Sequence, residues 1–383
     1  MAGGLPGPDD RGHRIEHRGP RRPAGRSRGG RITSYPLLEV DGLRVAPQGG
    51  GALLDGVCFA VAAGQCLGIV GESGCGKSLT LRATMGLLPA GVELSGGEIR
   101  LSHQADAAPT AVPAGQAAGR GLAMVFQDSH ASLDPTMRVG AFVADIVRRR
   151  TGASRAAARR RAVQLLAAVG VPDPGLRFHA YPHELSGGTR QRVAIALALA
   201  TDPRVLLCDE PTTALDVTLQ AEILRLLDAA RAERGLGMVF VSHDIAVIRQ
   251  IADVVAVMYA GQIIEAGPVA DVLDRPRHPY TRALIEAVPT LEGPIGRFRP
   301  IAGAPPAPAD YSPACRFRDR CAHQVAACSG VVPGIDALAI EHRSSCIRSS
   351  CTGSSRIPSS RIPSSRDPSS RDPSSCDHEP EAT

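Results

Sequence analysis

The chain alternates short apolar runs with longer segments of helical periodicity. Short apolar runs bounded by turn residues predict buried strands, and apolar residues spaced three or four positions apart predict amphipathic helices. The predicted strands are residues 65–70, 205–208 and 238–241, and the predicted helices are residues 77–86, 156–169, 191–200 and 219–234. This alternation predicts an α/β fold. The arginine runs at 148–150 and 159–161 lie in or beside helical segments and are predicted to be solvated.

The two ends of the chain lack this pattern. Residues 1–34 are rich in Gly, Pro and Arg, and residues 351–383 carry a Ser/Pro repeat. Such segments bury too little apolar surface to fold, so both are predicted to be disordered. A rise in Pro and Gly near residues 291–308 predicts a boundary between a main domain, 35–290, and a small Cys-containing module, 291–350.

Charge and hydropathy exclude several classes of protein. The net charge is +5, but residues 1–34 hold eight arginines against three acidic residues, so the rest of the chain is neutral. A neutral body lacks the basic surface of a nucleic-acid-binding protein. The longest unbroken apolar run, 193–200, is shorter than the roughly 18 residues of a spanning helix. The N-terminal segment has no apolar core and is not a secretory signal. Ten cysteines without a secretion signal indicate reduced thiols or metal ligands.

Lys77 is the only lysine among 43 basic residues. It lies in the sequence GESGCGKS, which follows a predicted strand and opens a predicted helix, as a phosphate-binding loop requires. In such a loop, backbone N–H groups and the helix N-terminus bind phosphate, Lys77 reaches the β- and γ-phosphates, and Ser78 is a Mg²⁺ ligand. The predicted ATP-binding residues are Gly71, Glu72, Ser73, Gly74, Cys75, Gly76, Lys77, Ser78 and Leu79.

Two adjacent carboxylates end the second predicted strand. The sequence RVLLCDE places Asp209 and Glu210 at the strand tip. Asp209 is predicted to bind Mg²⁺, and Glu210 to polarise the water that attacks the γ-phosphate. An acidic pair at a strand end is common in itself, and it becomes informative only together with the phosphate loop.

Three further motifs follow a fixed order along the chain. LSGGTRQR, residues 185–192, places Ser and Gly at a helix start, while Gln127 lies in VFQD and His243 in VSHD. With the phosphate loop and the acidic pair, this order resembles that of the ATP-binding cassette (ABC) ATPases over residues 37–290. The resemblance implies a P-loop NTPase cassette: a RecA-like core, an antiparallel β subdomain and an α-helical subdomain at about 129–185.

The resemblance also implies roles for these motifs. Ser186, Gly187, Gly188 and Gln191 belong to the signature that binds ATP held by a second cassette. Gln127 is the Q-loop residue, with a catalytic role and a bond to Mg²⁺, and His243 is the catalytic switch histidine. Asp216, in TALD, is the D-loop residue. One departure concerns adenine, because Ala46 stands where the family usually has a stacking aromatic residue.

A finer resemblance points to one group of transporters. FQDSHASLDP, YPHELSGG, DEPTTALDVTLQAEI and HPYTRALIEAVP resemble the ATPases of dipeptide, oligopeptide and nickel importers, in particular the DppD/OppD type. This implies a second ATPase subunit, with a homodimer as the alternative. It also implies two membrane permeases, an extracytoplasmic solute-binding protein and a peripheral location on the cytoplasmic face of the bacterial inner membrane. The alternative is a soluble ABC ATPase acting on nucleic acid or ribosomes, but the chain lacks the long coiled-coil insertions or second cassette of that class.

Four cysteines of the C-terminal module form a candidate metal site: Cys315, Cys321, Cys328 and Cys346. Their spacing differs from the close pairs of zinc ribbons, and four thiolates suit an iron–sulfur cluster. The resemblance implies a [4Fe–4S] cluster here. The alternatives are zinc with His323 or His342, and four reduced thiols, while Cys351 is another candidate fourth ligand. A redox sensor or scaffold built on this module is a third function class.

Overall fold

In the computed structural model of the chain, the described residues are 35–102, 108–113, 117, 120–128, 132–213, 215–287, 300–332, 335 and 341–347. The arm 1–34, the tail 351–383 with Cys351, and residues 291–299 of the predicted boundary lie outside them.

The elements are numbered in chain order. The strands are β1 Leu38–Pro47, β2 Leu54–Val61, β3 Cys66–Val70, β4 Val92–Leu101, β5 Thr110–Ala111, β6 Leu122–Val125, β7 Val205–Asp209, β8 Gly237–Val241, β9 Val254–Tyr259, β10 Gln262–Pro268 and β11 Arg343–Ser344. The helices are α1 Lys77–Met85, α2 Val139–Thr151, α3 Arg155–Ala168, α4 Pro174–Arg177, α5 Gly187–Ala200, α6 Val217–Arg234, α7 Ile245–Ile251, α8 Val269–Asp274 and α9 Pro279–Glu286.

Within the described residues, these strands form two sheets. The larger has the order β11-β10-β9-β3-β8-β7-β6, with parallel pairing from β9 to β6, and the smaller is antiparallel in the order β2-β1-β4-β5. Strands β3, β7 and β8 are buried along their whole length, as their unbroken apolar runs require. The predicted α/β fold is confirmed. Parallel pairing brings the carboxyl ends of β3, β6, β7 and β8 to one edge of the sheet.

Two apolar cores lie on the two faces of the large sheet. One joins Leu67, Ile69 and Val241 of the sheet to the antiparallel sheet and to α1. The other joins the opposite face to α2, α3, α5, α6 and α7. Helix α1 is therefore buried between the two sheets, which fixes the loop that precedes it.

The predicted elements differ from the observed ones mainly at their ends. Helix α5 begins at Gly187 rather than at residue 191, because the Ser186 hydroxyl caps it by accepting from the Thr189 N–H. The short strand β5, which no apolar run predicts, pairs with β4. The arginine runs at 148–150 and 159–161 are exposed, as predicted. Within the described part of the chain, no helix is both long and apolar enough to cross a membrane.

Strand β11 connects the C-terminal module to the main sheet. It pairs antiparallel with β10, through Glu265 with Ser344 and Ala266 with Arg343. The Glu265 carboxylate is fully buried and accepts from the backbone N–H groups of Arg277 and His278, and it lies 2.7 Å from His342 Nε2. The module is therefore continuous with the sheet edge through hydrogen bonds.

Candidate functional site

The segment 71–78 connects the end of β3 to the first turn of α1. Gly76 has a φ of +108°, and a Cβ there would lie 2.6 Å from Leu54 Cδ2. A Cβ at Gly71 would lie 2.2 Å from the Met258 carbonyl oxygen. Glycine is therefore required at both positions by conformation or by space. The resulting loop at a helix N-terminus has the form of an anion-binding site.

Lys77 lies inside this loop with 6% of its surface exposed. Its ammonium donates to the carbonyl oxygens of Gly71, at 2.8 Å, and Glu72, at 3.0 Å. Cys75 is buried as well, whereas Ser73 and Gly74 are exposed. The backbone of the loop thus holds the Lys77 ammonium in place, next to the exposed residues Ser73 and Gly74. Half-buried Leu79 continues the helix.

Ser78 and Asp209 meet although they lie 131 residues apart. The Ser78 hydroxyl donates to Asp209 Oδ1 at 2.7 Å. The second oxygen, Oδ2, is buried and has no hydrogen-bond partner among the described residues. Burial raises the pKa of Asp209, and the bond from Ser78 opposes that rise. A buried, half-satisfied carboxylate beside a hydroxyl is a donor set that Mg²⁺ fits.

Glu210 is the centre of a second cluster, one residue further along. Its φ of +45° is unusual for a non-glycine residue. Glu210 Oε2 accepts from the Thr213 hydroxyl at 2.8 Å and lies 3.0 Å from His243 Nδ1. Gln127 Nε2 is 3.5 Å from the same oxygen. The three residues predicted to be catalytic, Gln127, Glu210 and His243, are thus brought together.

The signature residues form a separate group. Ser186 and Gly187 are exposed at the start of α5, where the Ser186 hydroxyl bonds with Thr189. Gly188 and Gln191 are buried, and Gln191 Nε2 has no hydrogen-bond partner in the described residues. The hydrogen bonds between Ser186 and Thr189 stay within the start of α5 and do not reach the phosphate loop.

Asp216 lies at the N-terminus of α6, which packs against the start of α5. Its carboxylate caps α6 by accepting from the Leu219 N–H at 2.9 Å. A Cβ at Gly188 would lie 2.4 Å from Leu219 Cδ2, so α5 and the start of α6 pack directly together. Asp216 and Gly188 thus lie close together at the N-terminal ends of α6 and α5.

The four candidate cysteine ligands line one small cavity of about 20 Å³. Cys315, Cys321, Cys328 and Cys346 form its walls together with His278 and His323. The Cys315 N–H donates to the Cys328 carbonyl oxygen at 3.2 Å. Burial raises the pKa of the Cys315 thiol, so the neutral form is favoured unless a cation is near.

Neither a ligand set for a metal ion nor a disulfide is found among the described cysteines. Among the described residues, no group of three or more His, Cys, Asp or Glu side chains is arranged to hold a metal ion. No disulfide joins the described cysteines. His342, a candidate zinc ligand, is bonded to Glu265 instead, and His323 lies at the cavity.

Three residues at the site were not predicted from the sequence. The Thr213 hydroxyl donates a hydrogen bond to Glu210. Tyr280 accepts a hydrogen bond from the Glu72 N–H, and Arg320 forms an ion pair with the Glu72 carboxylate. Only a local signal exists for Thr213, which lies three residues after Glu210. The other two lie more than 200 residues from their partner, and no sequence pattern reports such a contact.

Two family models match the chain. Residues 54–213 match the model described as ABC transporter, and residues 264–328 match the oligopeptide/dipeptide transporter C-terminal region. Among solved structures, the chain is similar to cbiO1 from Clostridium perfringens, part of the ABC transporter complex cbiONQ. The TM-score is 0.53 with 27% identity, over 63% of this chain and 91% of that one.

Curated relatives extend the similarity over most of the chain. The chain is 42% identical over 318 residues to the oligopeptide transport ATP-binding protein OppD of Mycobacterium tuberculosis, covering 82% of this chain and 52% of that protein. It is 40% identical over 292 residues to the dipeptide transport ATP-binding protein DppD of Bacillus subtilis, covering 76% of this chain and 87% of that protein. The chain thus spans about half the length of the mycobacterial relatives and most of the length of the bacillary one.

Proposed function

Because the chain belongs to the ABC transporter family, among the ATP-binding proteins of oligopeptide and dipeptide transport, we propose that it hydrolyses ATP to energise an importer. The solutes are di- or oligopeptides or related compounds. One observation carries the proposal: the phosphate loop, the Ser78–Asp209 pair and the Glu210–His243 pair meet at one edge of the sheet. Phosphoryl transfer needs these three elements in one place.

Mg²⁺ fits the pair formed by Ser78 and Asp209. The Ser78 hydroxyl and the unpartnered Asp209 Oδ2 are oxygen donors, which this ion prefers. Gln127 supplies a further side-chain oxygen at the same edge. When bound, the ion neutralises charge on the phosphate oxygens.

The remaining steps belong to residues of the chain. Lys77 and the loop N–H groups bind the β- and γ-phosphates, and the Glu210 carboxylate orients the attacking water and takes up its proton. His243 and Thr213 hold the Glu210 carboxylate by two contacts to Oε2.

The signature residues complete the site of a second cassette. Ser186 and Gly187 are exposed at a helix N-terminus, which is suited to bind the γ-phosphate of ATP held by another subunit. Two cassettes packed head to tail would then hold two ATP molecules between them, and ATP hydrolysis would let the two cassettes separate. The partner is a second, different ATPase subunit, with a second copy of this chain as the alternative.

The cassettes act on two membrane permeases at the cytoplasmic face of the inner membrane, supplied with solute by an extracytoplasmic binding protein. Helices α2, α3 and α4, together with Gln127, provide the surface for the permeases. ATP-driven closure of the cassettes moves this helical part and so rearranges the transport path. Nucleic acid is not a partner.

Reconstitution tests the proposal. The protein, its second ATPase subunit and two peptide-importer permeases are placed in proteoliposomes, and ATP hydrolysis and peptide uptake are measured. Hydrolysis stimulated by the permeases and the binding protein, and uptake that requires ATP, are expected. Hydrolysis that ignores the permeases and rises with DNA or ribosomes would contradict the proposal.

We further propose that the cysteine cavity holds a [4Fe–4S] cluster, with zinc as the alternative. Four thiols around one cavity support a thiolate-ligated group. The cluster stands ahead of zinc because four thiolates are its usual ligand set, whereas zinc sites favour close Cys pairs that this chain lacks. Its ligands would be Cys315, Cys321, Cys328 and Cys346.

Anaerobically purified protein is expected to contain iron and acid-labile sulfide and to absorb broadly near about 400 nm. Cys328→Ser removes a ligand and should abolish both the iron and the absorbance. Cys58→Ser is the matched control, because Cys58 lies on β2 away from the cavity and a hydroxyl can keep its bond to the Gly42 N–H. A colourless protein with zinc alone would reject the cluster, and a metal-free protein would reject both.

A further inference from the structure

Glu72, the second residue of the phosphate loop, is held from two sides by the C-terminal part of the chain. Its backbone N–H donates to Tyr280 Oη at 2.8 Å. Its carboxylate accepts two hydrogen bonds from Arg320, at 2.7 Å from Nη1 and 2.9 Å from Nη2. This is the two-pronged geometry that makes arginine–carboxylate pairs strong and directional.

The position of Arg320 is itself fixed on every side. Its Nε donates to the Ala302 carbonyl oxygen at 2.8 Å, Nη2 to the Ile301 carbonyl oxygen at 3.3 Å, and Nη1 to Tyr259 Oη at 3.3 Å. With the two bonds to Glu72, all five N–H donors of the guanidinium have an acceptor. Only 5% of the side chain is exposed, and the guanidinium lies near the rings of Tyr259 and Phe317.

Glu72 matters to the loop in two ways. Its carbonyl oxygen accepts from the Lys77 ammonium, so a displaced Glu72 would move one of the groups that position Lys77. Its carboxylate carries a negative charge on a loop built to bind a polyanion. Paired with Arg320, that charge is neutralised and held in place, whereas unpaired it would repel the triphosphate.

We infer that Arg320 is a positioning residue of the nucleotide site: it acts through Glu72 to hold the phosphate loop in its ATP-binding form. The inference rests on the proposed ATPase function. It also joins the cysteine module to the nucleotide site, because Arg320 immediately precedes Cys321, and Tyr280 follows His278 by two residues. Both Cys321 and His278 line the cysteine cavity.

The test is a double-mutant cycle of the wild type, Arg320→Gln, Glu72→Gln and the double variant, in the full chain. Equilibrium titration with Mg·ATP gives Kd, and steady-state hydrolysis gives KM and kcat. Arg320→Gln is expected to raise Kd and KM about tenfold, the loss expected for a charge-assisted contact. Its kcat at saturating ATP should stay within about threefold, because Arg320 makes no contact with Glu210 or His243.

Glu72→Gln should change Kd less than Arg320→Gln, and the double variant should bind ATP more tightly than Arg320→Gln alone. The physical reason is that removing the carboxylate removes the unpaired charge that Arg320→Gln leaves beside the phosphates. A purely structural role for Arg320 would not give this rescue. Thermal unfolding of each variant reports any loss of stability separately.

Two results would overturn the inference: an unchanged Kd in a folded Arg320→Gln protein, or a double variant no better than Arg320→Gln. If Arg320→Gln does not fold, Arg320→Lys serves instead, because it keeps the charge but loses the two-pronged contact; an unchanged Kd in that variant would then overturn the inference. Failure of the proposed function looks different, since the wild type itself would then neither bind nor hydrolyse ATP.

Discussion

Glu210→Gln is expected to lower kcat for ATP hydrolysis by about 10²- to 10⁴-fold, the contribution typical of a positioned general base. ATP binding should persist, since Lys77, Ser78 and the loop backbone are unchanged. The amide has nearly the shape of the carboxylate and can still contact Thr213 and His243, but it cannot take a proton from water. The measurement is single-turnover hydrolysis together with equilibrium ATP binding.

The matched control is Glu233→Gln, the same chemical change at an exposed position on α6. It should leave both hydrolysis and binding unchanged. If Glu210→Gln hydrolyses ATP within about tenfold of the wild-type rate, Glu210 is not the general base, and another group at the strand edge must orient the water.

Lys77→Arg should raise the Kd for ATP about 10- to 100-fold, the range for losing hydrogen bonds to a charged group, and should abolish detectable turnover. The substitution keeps the charge, so the effect is one of shape. Lys77 is 6% exposed, and its ammonium lies between the carbonyl oxygens of Gly71 and Glu72 and 3.9 Å from Cys75 Sγ. A broad planar guanidinium does not fit that space and would displace the loop.

Arg160→Lys is the matched control, because it makes the reverse exchange at an exposed position on α3. It should have no effect on binding or turnover. The Kd of both variants is measured by ATP titration, and thermal unfolding compares their stability. Wild-type affinity in Lys77→Arg would mean that charge alone, and not the compact ammonium, is what the loop requires.

Much of the nucleotide site could be predicted because its parts are local in sequence. The glycines of residues 71–78, the apolar run before them and the helix after them lie within about twenty residues, and each constrains the same loop. The Asp209–Glu210 pair follows the last apolar residue of a buried strand, so its place at a strand tip needed no knowledge of the fold. Parallel pairing then brought these two strand ends to one edge.

Other features could be predicted only in part. The four cysteines stood out by their number and by the composition of their segment, but the spacing left open whether they would face each other. The fold places them around one cavity and brings His278 there as well. The boundary of the module was predicted from Pro and Gly content, which says nothing of the pairing between β10 and β11.

The sequence by itself determined the phosphate loop, the acidic strand tip and the alternating fold, because glycine conformation and hydrophobic period act over a few neighbouring residues. Only the tertiary structure decided which side chains contact Glu210, namely Thr213, Gln127 and His243. It also decided that Arg320 pairs with Glu72, 248 residues away in the sequence. Such contacts depend on how complete helices and strands pack against each other. The residues next to each side chain in the sequence therefore do not reveal which distant residue it will contact.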